Sequence, residues 1–268
     1  MTKVSVVIPA QNEAATIGLV LDDLHATLAT IPGYSFEVLV VDDHSTDRTA
    51  EMAQARGARV VTNEGRRGKG MALRLGFASS DGEIIAMMDA DYSHRAEELP
   101  RFLEALHDAS VGLVIGSRVV GGSEEYTHLR ALGNVFLSAT LGLCTSRYLS
   151  DALNGFKVFR REIFSGFKYT SPAFEIEIEI IANTLRAGYR VVEITSHERA
   201  RAGGEAKSRV VRHGTRFLLR ILWEGLRGVR PAVVRAVPDG DPARLNSSMT
   251  VVAEPSAKRA GVPDGTLR

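Results

Sequence analysis

Cysteine is almost missing from this chain: Cys144 stands alone among 268 residues. One thiol excludes an intrachain disulfide framework and a cysteine-rich zinc site, and it suits a reducing compartment. Surplus charge of either sign is missing too, since 33 lysines and arginines face 32 aspartates and glutamates. A general nucleic-acid binder would carry a basic excess, so that class is set aside. No uncharged run reaches the roughly 20 residues that cross a bilayer. Residues 1–12 lead straight into a strand pattern without a leader motif, so a cytoplasmic location is expected. Also absent are the glycines of a dinucleotide fingerprint, because Pro9-Ala10-Gln11-Asn12-Glu13 follows the first strand. That argues against an NAD-binding domain.

What the chain does have is regular alternation. Val4 to Ile8 is a β-branched run stopped by Pro9, and Asn12 is expected to cap a helix with Glu13 in its first turn. Ile17, Leu21, Leu24 and Leu28 give that helix an apolar stripe. Phe36 to Val41 is a nearly continuous apolar strand, interrupted by Glu37, of the kind parallel sheets bury on both faces, and it ends at Asp42-Asp43. Further strands are expected at 58–62, 83–88, 111–115 and 189–194, and helices at 71–79, 97–106, 130–140 and 174–187. The order specifies an α/β fold with a mostly parallel central sheet flanked by helices. The expected division is a catalytic domain over 1–210, a basic amphipathic helical extension over 211–236, and a disordered tail over 237–268. A basic amphipathic helix either packs on the core or a partner, or lies on an anionic membrane.

Chemistry concentrates at the strand ends. The strand before Asp89-Ala90-Asp91 delivers two carboxylates spaced to point the same way, at the edge of an open sheet where ligands bind. Such a pair suits Mg²⁺ or Mn²⁺ beside a phosphate-bearing substrate; a solvated acidic turn is the alternative. Between the two acidic strand ends lies Gly65-Arg66-Arg67-Gly68-Lys69-Gly70, a basic glycine loop opening a helix. Its backbone N–H groups and Lys69 can hold phosphates, although the P-loop spacing is not met and no Ser or Thr follows the lysine. Glu175, Glu177 and Glu179 alternate along a helical segment, so at most one or two of them can face a common site.

Seven short motifs then appear in one order: Pro9 to Glu13, Asp42-Asp43-His44-Ser45, Gly68-Lys69-Gly70, Asp89-Ala90-Asp91, Gly116-Ser117-Arg118, Asp151 with Gly155-Phe156-Lys157, and Arg201 with Gly204-Glu205-Ala206-Lys207. In this the chain resembles the family 2 glycosyltransferases of the GT-A fold, above all the dolichol-phosphate mannosyltransferase and bacterial polyprenyl-phosphate glycosyltransferase group. The resemblance implies inverting, metal-dependent transfer of a hexose from GDP-mannose or UDP-glucose to a polyprenyl phosphate. A soluble small-molecule acceptor is the alternative, and a nucleotidyltransferase-like or nucleotide-binding protein the third option. It also implies that Pro9, Asn12, Glu13 and Asp43 surround the nucleoside, and that Gly68, Lys69 and Gly70 line the nucleotide cleft. Asp89 and Asp91, flanking Ala90, would hold the metal with Ser93 as a further contact. Arg118, Arg130, Arg201 and Lys207 would neutralise phosphates. Were the acceptor an alcohol, Asp151, Glu175 or Glu177 would serve as base. Asn154 and Ala206 depart from the family pattern on the acceptor side.

Overall fold

The computed structural model describes residues 1–125, 127–203 and 210–229. Lys207 and the tail expected over 237–268 lie outside the described residues. Seven strands form one sheet: β1 (Thr2–Ala10), β2 (Tyr34–Asp42), β3 (Arg59–Thr62), β4 (Ile84–Met87), β5 (Val111–Ser117), β6 (Lys157–Arg160) and β7 (Arg190–Thr195), in the order β3-β2-β1-β4-β6-β5-β7. All neighbours are parallel except β6, which runs against both β4 and β5. The mostly parallel sheet read from the strand–helix alternation is therefore present.

Period-2 geometry divides the core. Val4, Val6 and Ile8 of β1 face one apolar cluster, which takes in Ile17, Leu21 and Leu24 of α1 (Ile17–Leu28) and Leu99, Phe102 and Leu103 of α4 (Leu99–Ala105), with α2 (Thr49–Ala55) contributing Ala53. Val7 of the same strand faces the opposite cluster with Leu73 and Phe77 of α3 (Lys69–Ser79). That second layer is completed by α6 (His128–Thr145), α7 (Arg161–Ser165), α8 (Ile176–Arg186) and α9 (Val210–Leu226), while the short α5 (Arg118–Gly121) buries no residue.

Register levels the strand ends. Ala10 pairs with Asp42 and Val7 with Met87, so the chain leaves β1, β2 and β4 at one edge. Because β6 is antiparallel, its amino end reaches the same edge, with Lys157 paired to Met87. Gly155 is thereby set beside Asp89; a Cβ at Gly155 would lie 2.6 Å from Asp89 Oδ2.

Two local expectations change. Asn12 does not cap α1. It adopts a positive φ of 50°, and its Oδ1 accepts from the Thr46 backbone N–H at 2.7 Å while its own N–H donates to Ser45 Oγ. The helix starts later, at Ile17, and the Glu13 carbonyl accepts from the N–H groups of Thr16 and Ile17. Asn12 thus ties the loop after β1 to the loop after β2. The second change concerns α9, whose side chains pack on α6 and α8 through buried Phe217 and Ile221. Arg216 pairs with Glu175, and Arg220 with Glu179 and with Glu224 at 2.7 Å. These cations face α8 carboxylates rather than solvent, so the surface α9 leaves open is apolar: Leu219, Leu222, Trp223 and Leu226. Leu129, Leu132, Phe136 and Leu143 of α6 are likewise exposed. No described helix is long and apolar enough to cross a membrane.

Candidate active site

The glycine loop and β4 converge because glycine permits it. A Cβ at Gly70 would lie 2.7 Å from Ala173 O, and the Met71 N–H donates to Pro172 O, so the start of α3 packs on the backbone that leads into α8. Lys69 is thereby placed between two carboxylates, with Nζ 2.7 Å from Asp89 Oδ1 and 3.0 Å from Glu177 Oε1. Burial disfavours the Lys69 ammonium, but the charges of Asp89 and Glu177 outweigh it and push its pKa up. Asp89 shows the mirror effect: burial opposes ionisation, and Lys69, His94 and Arg201 overcome it, holding the carboxyl well below its usual range. Asp91 pairs with Arg201 Nη2 at 2.9 Å and accepts from Ser93 Oγ at 2.6 Å. Ser93 therefore orients Asp91.

On the other side of the loop, Asp43 accepts from Asn63 Nδ2 at 2.6 Å and from the Gly68 N–H at 2.9 Å. Adjacent residues Gly68 and Lys69 thus connect the end of β2 to the end of β4. Pro9 closes β1 beside Val41 of β2, and the Glu13 N–H donates to Thr49 Oγ1 at 2.8 Å. Asn12 and Glu13 are thus tied to the chain after β2, and Asp43 to the glycine loop.

A cavity of about 210 Å³ opens at this edge. Lys69, Asp89, Asp91, Ser93, Arg118, Arg130, Glu177 and Arg201 supply its polar wall, and Leu137, Leu153, Phe174 and Phe217 its apolar one. Among the expected site residues that are described, Pro9, Asn12, Glu13, Asp43, Gly68, Gly70, Ala90, Asp151 and Glu175 do not line it. Asp151 is fully buried and accepts from Arg118 Nε at 2.7 Å, Arg118 Nη2 at 2.9 Å and Asn134 Nδ2 at 2.9 Å. Burial raises its pKa, but the Arg118 bond and charge prevail and leave it below the ordinary value. Glu175 turns to Arg216. Of the three carboxylates expected as bases, only Glu177 reaches the cavity, because β-like alternation becomes 100° rotation on α8 and sends Glu175 and Glu179 to α9.

Several cavity or underlying residues have no role assigned from the sequence, although Lys157 closes the Gly155-Phe156-Lys157 motif. His94, three positions after Asp91, stacks on Phe156 and accepts from the Asp89 N–H at 3.2 Å. Lys157, fully buried, lies 3.5 Å from Glu177 Oε2 and donates to Ala152 O; burial pulls its pKa down. Phe217 comes from α9, far along the chain, and only packing reveals its place.

A family model described as glycosyl transferase family 2 matches residues 5–167. The chain belongs to this family. Members of this family are glycosyl transferases. The chain is 31% identical to dolichol-phosphate mannosyltransferase of Pyrococcus furiosus over 83% of its length, and spans 65% of that relative. It is 31% identical to undecaprenyl-phosphate mannosyltransferase of Micrococcus luteus, over 84% of this chain and 98% of the relative. Among solved structures, glucosyl-3-phosphoglycerate synthase of Mycobacterium tuberculosis, in complex with Mn²⁺, UDP and glucosyl-3-phosphoglycerate, is similar at TM-score 0.63 and 26% identity. That likeness covers 84% of this chain and 80% of the other.

The oxygen set suits a hard divalent cation. Asp89 is held ionised, and Asp91 shares the same cavity wall. No cluster of three or more acidic, histidine or cysteine groups able to hold a metal occurs among the described residues. Two carboxylates fit an ion that completes its shell with substrate phosphate and water, as Mg²⁺ and Mn²⁺ do, and do not form an all-protein cage.

Proposed function

We propose that this family 2 transferase moves a hexose from a nucleotide sugar to an acceptor that itself bears a phosphate, with Mg²⁺ or Mn²⁺ held by Asp89 and Asp91. The observation that carries this is the single cavity wall on which those carboxylates meet Lys69, Arg118, Arg130 and Arg201. When bound, the cation supplies Lewis-acid stabilisation of the departing nucleoside diphosphate. Pro9, Asn12, Glu13 and Asp43 cradle the nucleoside, and Gly68, Lys69 and Gly70 bring backbone and ammonium groups towards its phosphates. Arg118, fixed by Asp151 beneath it, and Arg130 and Arg201 neutralise charge as the glycosidic C–O bond breaks. An acceptor phosphate oxygen is already ionised and attacks the anomeric carbon without a base. For a hydroxyl acceptor the proton would go to Glu177, the candidate base that lines the cavity.

Phosphate is the shared chemistry, and it has two sources. Likeness to a solved glucosyl-3-phosphoglycerate synthase gives a small soluble acceptor the stronger support. A lipid phosphate is supported by the mannosyltransferase relatives and by a specific observation: α6 and α9, which supply Leu137 and Phe217 to the cavity, also expose Leu132, Phe136, Leu219 and Trp223. In that case α9 would form a membrane-peripheral edge.

Mass-spectrometric product analysis tests the proposal. The purified protein receives GDP- and UDP-sugars with Mg²⁺ or Mn²⁺, and either a short polyprenyl phosphate or phosphoglycerate. A glycosyl-phosphoprenol selects the lipid source, and a glycosylated phosphoglycerate the soluble one. Release of sugar 1-phosphate from the nucleotide sugar with no glycosylated product would overturn glycosyl transfer in favour of nucleotidyl transfer.

A further inference from the structure

Each carboxylate assigned to the metal is already held by a cation, and each of those cations reaches a second carboxylate. Lys69 bridges Asp89 at 2.7 Å and Glu177 at 3.0 Å. Arg201 bridges Asp91 at 2.9 Å and Glu125 at 3.7 Å. The arrangement is two parallel triads, carboxylate–cation–carboxylate, on one cavity wall. A divalent ion between Asp89 and Asp91 would sit against both positive groups, and like charges in a poorly solvated cleft repel strongly. The side chain of Lys69 is only 11% exposed, so solvent screens this little. Yet neither cation would be stranded on leaving, because Glu177 and Glu125 stand ready as partners. A diphosphate entering the cavity would add a further anionic partner for both.

We propose that Lys69 and Arg201 are internal counter-ions that occupy Asp89 and Asp91 until the donor arrives, and then pass to Glu177, Glu125 and the donor diphosphate. Metal and diphosphate therefore bind cooperatively, each weakly alone and each strengthened by the other. This rests on the nucleotide-sugar and metal reading above and adds its thermodynamic order. Lys69 and Arg201 thereby govern when the metal site is available as well as holding phosphate.

The experiment measures Mn²⁺ binding by electron paramagnetic resonance of the free ion, on full-length protein, without nucleotide and with saturating UDP or GDP, each against a protein-free solution of the same nucleotide so that Mn²⁺ held by free diphosphate is subtracted. For the unaltered protein the diphosphate should tighten Mn²⁺ binding by about 10-fold or more, within the range usual for coupled sites. Lys69→Met and Arg201→Met keep the aliphatic stem and remove the charge. Each should strengthen nucleotide-free Mn²⁺ binding several-fold and shrink the coupling to about 3-fold or less, the opposite of ordinary damage to a metal site. Glu177→Gln gives the reverse sign: Lys69 loses its alternative partner, stays on Asp89, and nucleotide-free Mn²⁺ binding weakens. Unchanged nucleotide-free affinity in both methionine variants, or coupling of undiminished size, overturns the proposal. If the unaltered protein binds no Mn²⁺ with either diphosphate, the metal reading itself falls and the counter-ion role with it.

Discussion

Replacing Asp151 by Asn separates a structural carboxylate from a catalytic one. Asp151 is fully buried and takes the Arg118 N–H at 3.0 Å, its Nε at 2.7 Å, its Nη2 at 2.9 Å and Asn134 Nδ2 at 2.9 Å. The amide of Asn carries no charge and presents a donor where the carboxylate accepts. Breaking one side of a buried ion pair costs about 3–5 kcal/mol. Arg118 retains Glu198 at 3.0 Å, so the lower end, about 3 kcal/mol, is expected. For a protein of this size that lowers Tm by roughly 6–12 °C. Thermal and urea unfolding followed by far-UV circular dichroism would read it. The pH dependence has a definite sign: with its folded pKa below the unfolded value, Asp151 stabilises above the ordinary carboxylate range, and this is lost as pH falls through the folded value. Asp151→Asn should therefore flatten part of the acid limb. A loss under about 0.5 kcal/mol would refute the pillar role. Normal stability with turnover abolished would instead restore Asp151 as a base.

Asp89→Asn should cut metal-stimulated donor turnover by about 100-fold or more while shifting Tm by only a few degrees; full turnover in coupled nucleoside-diphosphate release would contradict the site. Gly155→Ala places a methyl 2.6 Å from Asp89 Oδ2, so the same assay should show a large loss in a protein with unaltered circular dichroism. Ile221→Ala, at a fully buried position on α9, should cost about 2–5 kcal/mol in urea unfolding. A loss below about 1 kcal/mol would mean that α9 does not hold the core as described.

Much of the sheet was readable because parallel strands advertise themselves. Val38 to Val41, Ile84 to Met87 and Val111 to Ile115 are apolar on both faces, and their carboxyl ends lead into Asp42-Asp43, Asp89-Ala90-Asp91 and Ser117-Arg118. What local pattern hid was direction and pairing. Lys157 begins an antiparallel strand, which only its partners Met87 and Ile115 reveal. Asn12 has the chemistry of a cap but bonds across to Thr46, since a capping propensity yields to an equally good long-range acceptor role. The arginines of α9 read as a basic face, yet Glu175, Glu179 and Glu224 consume their charge. Lys69 was legible as a site residue; its present partners, Asp89 and Glu177, were not, because they lie 20 and 108 positions away.

The position of α9 as one wall of the cavity bears on how this enzyme diverges from its relatives. The family match ends at residue 167, whereas Phe174, Glu177, Arg201, His213 and Phe217, which also line the cavity, all come later. The residues after 167 that complete the cleft stand within the packing limits that Phe217, Ile221 and the arginine–carboxylate ladder impose. Members alike in how they grip the donor could then differ in what they glycosylate through a few exchanges on one helix pair. Grafting α9 alone from a relative would be expected to fail, since its arginines are matched to Glu175 and Glu179 of α8; exchanging both helices together keeps the charges paired.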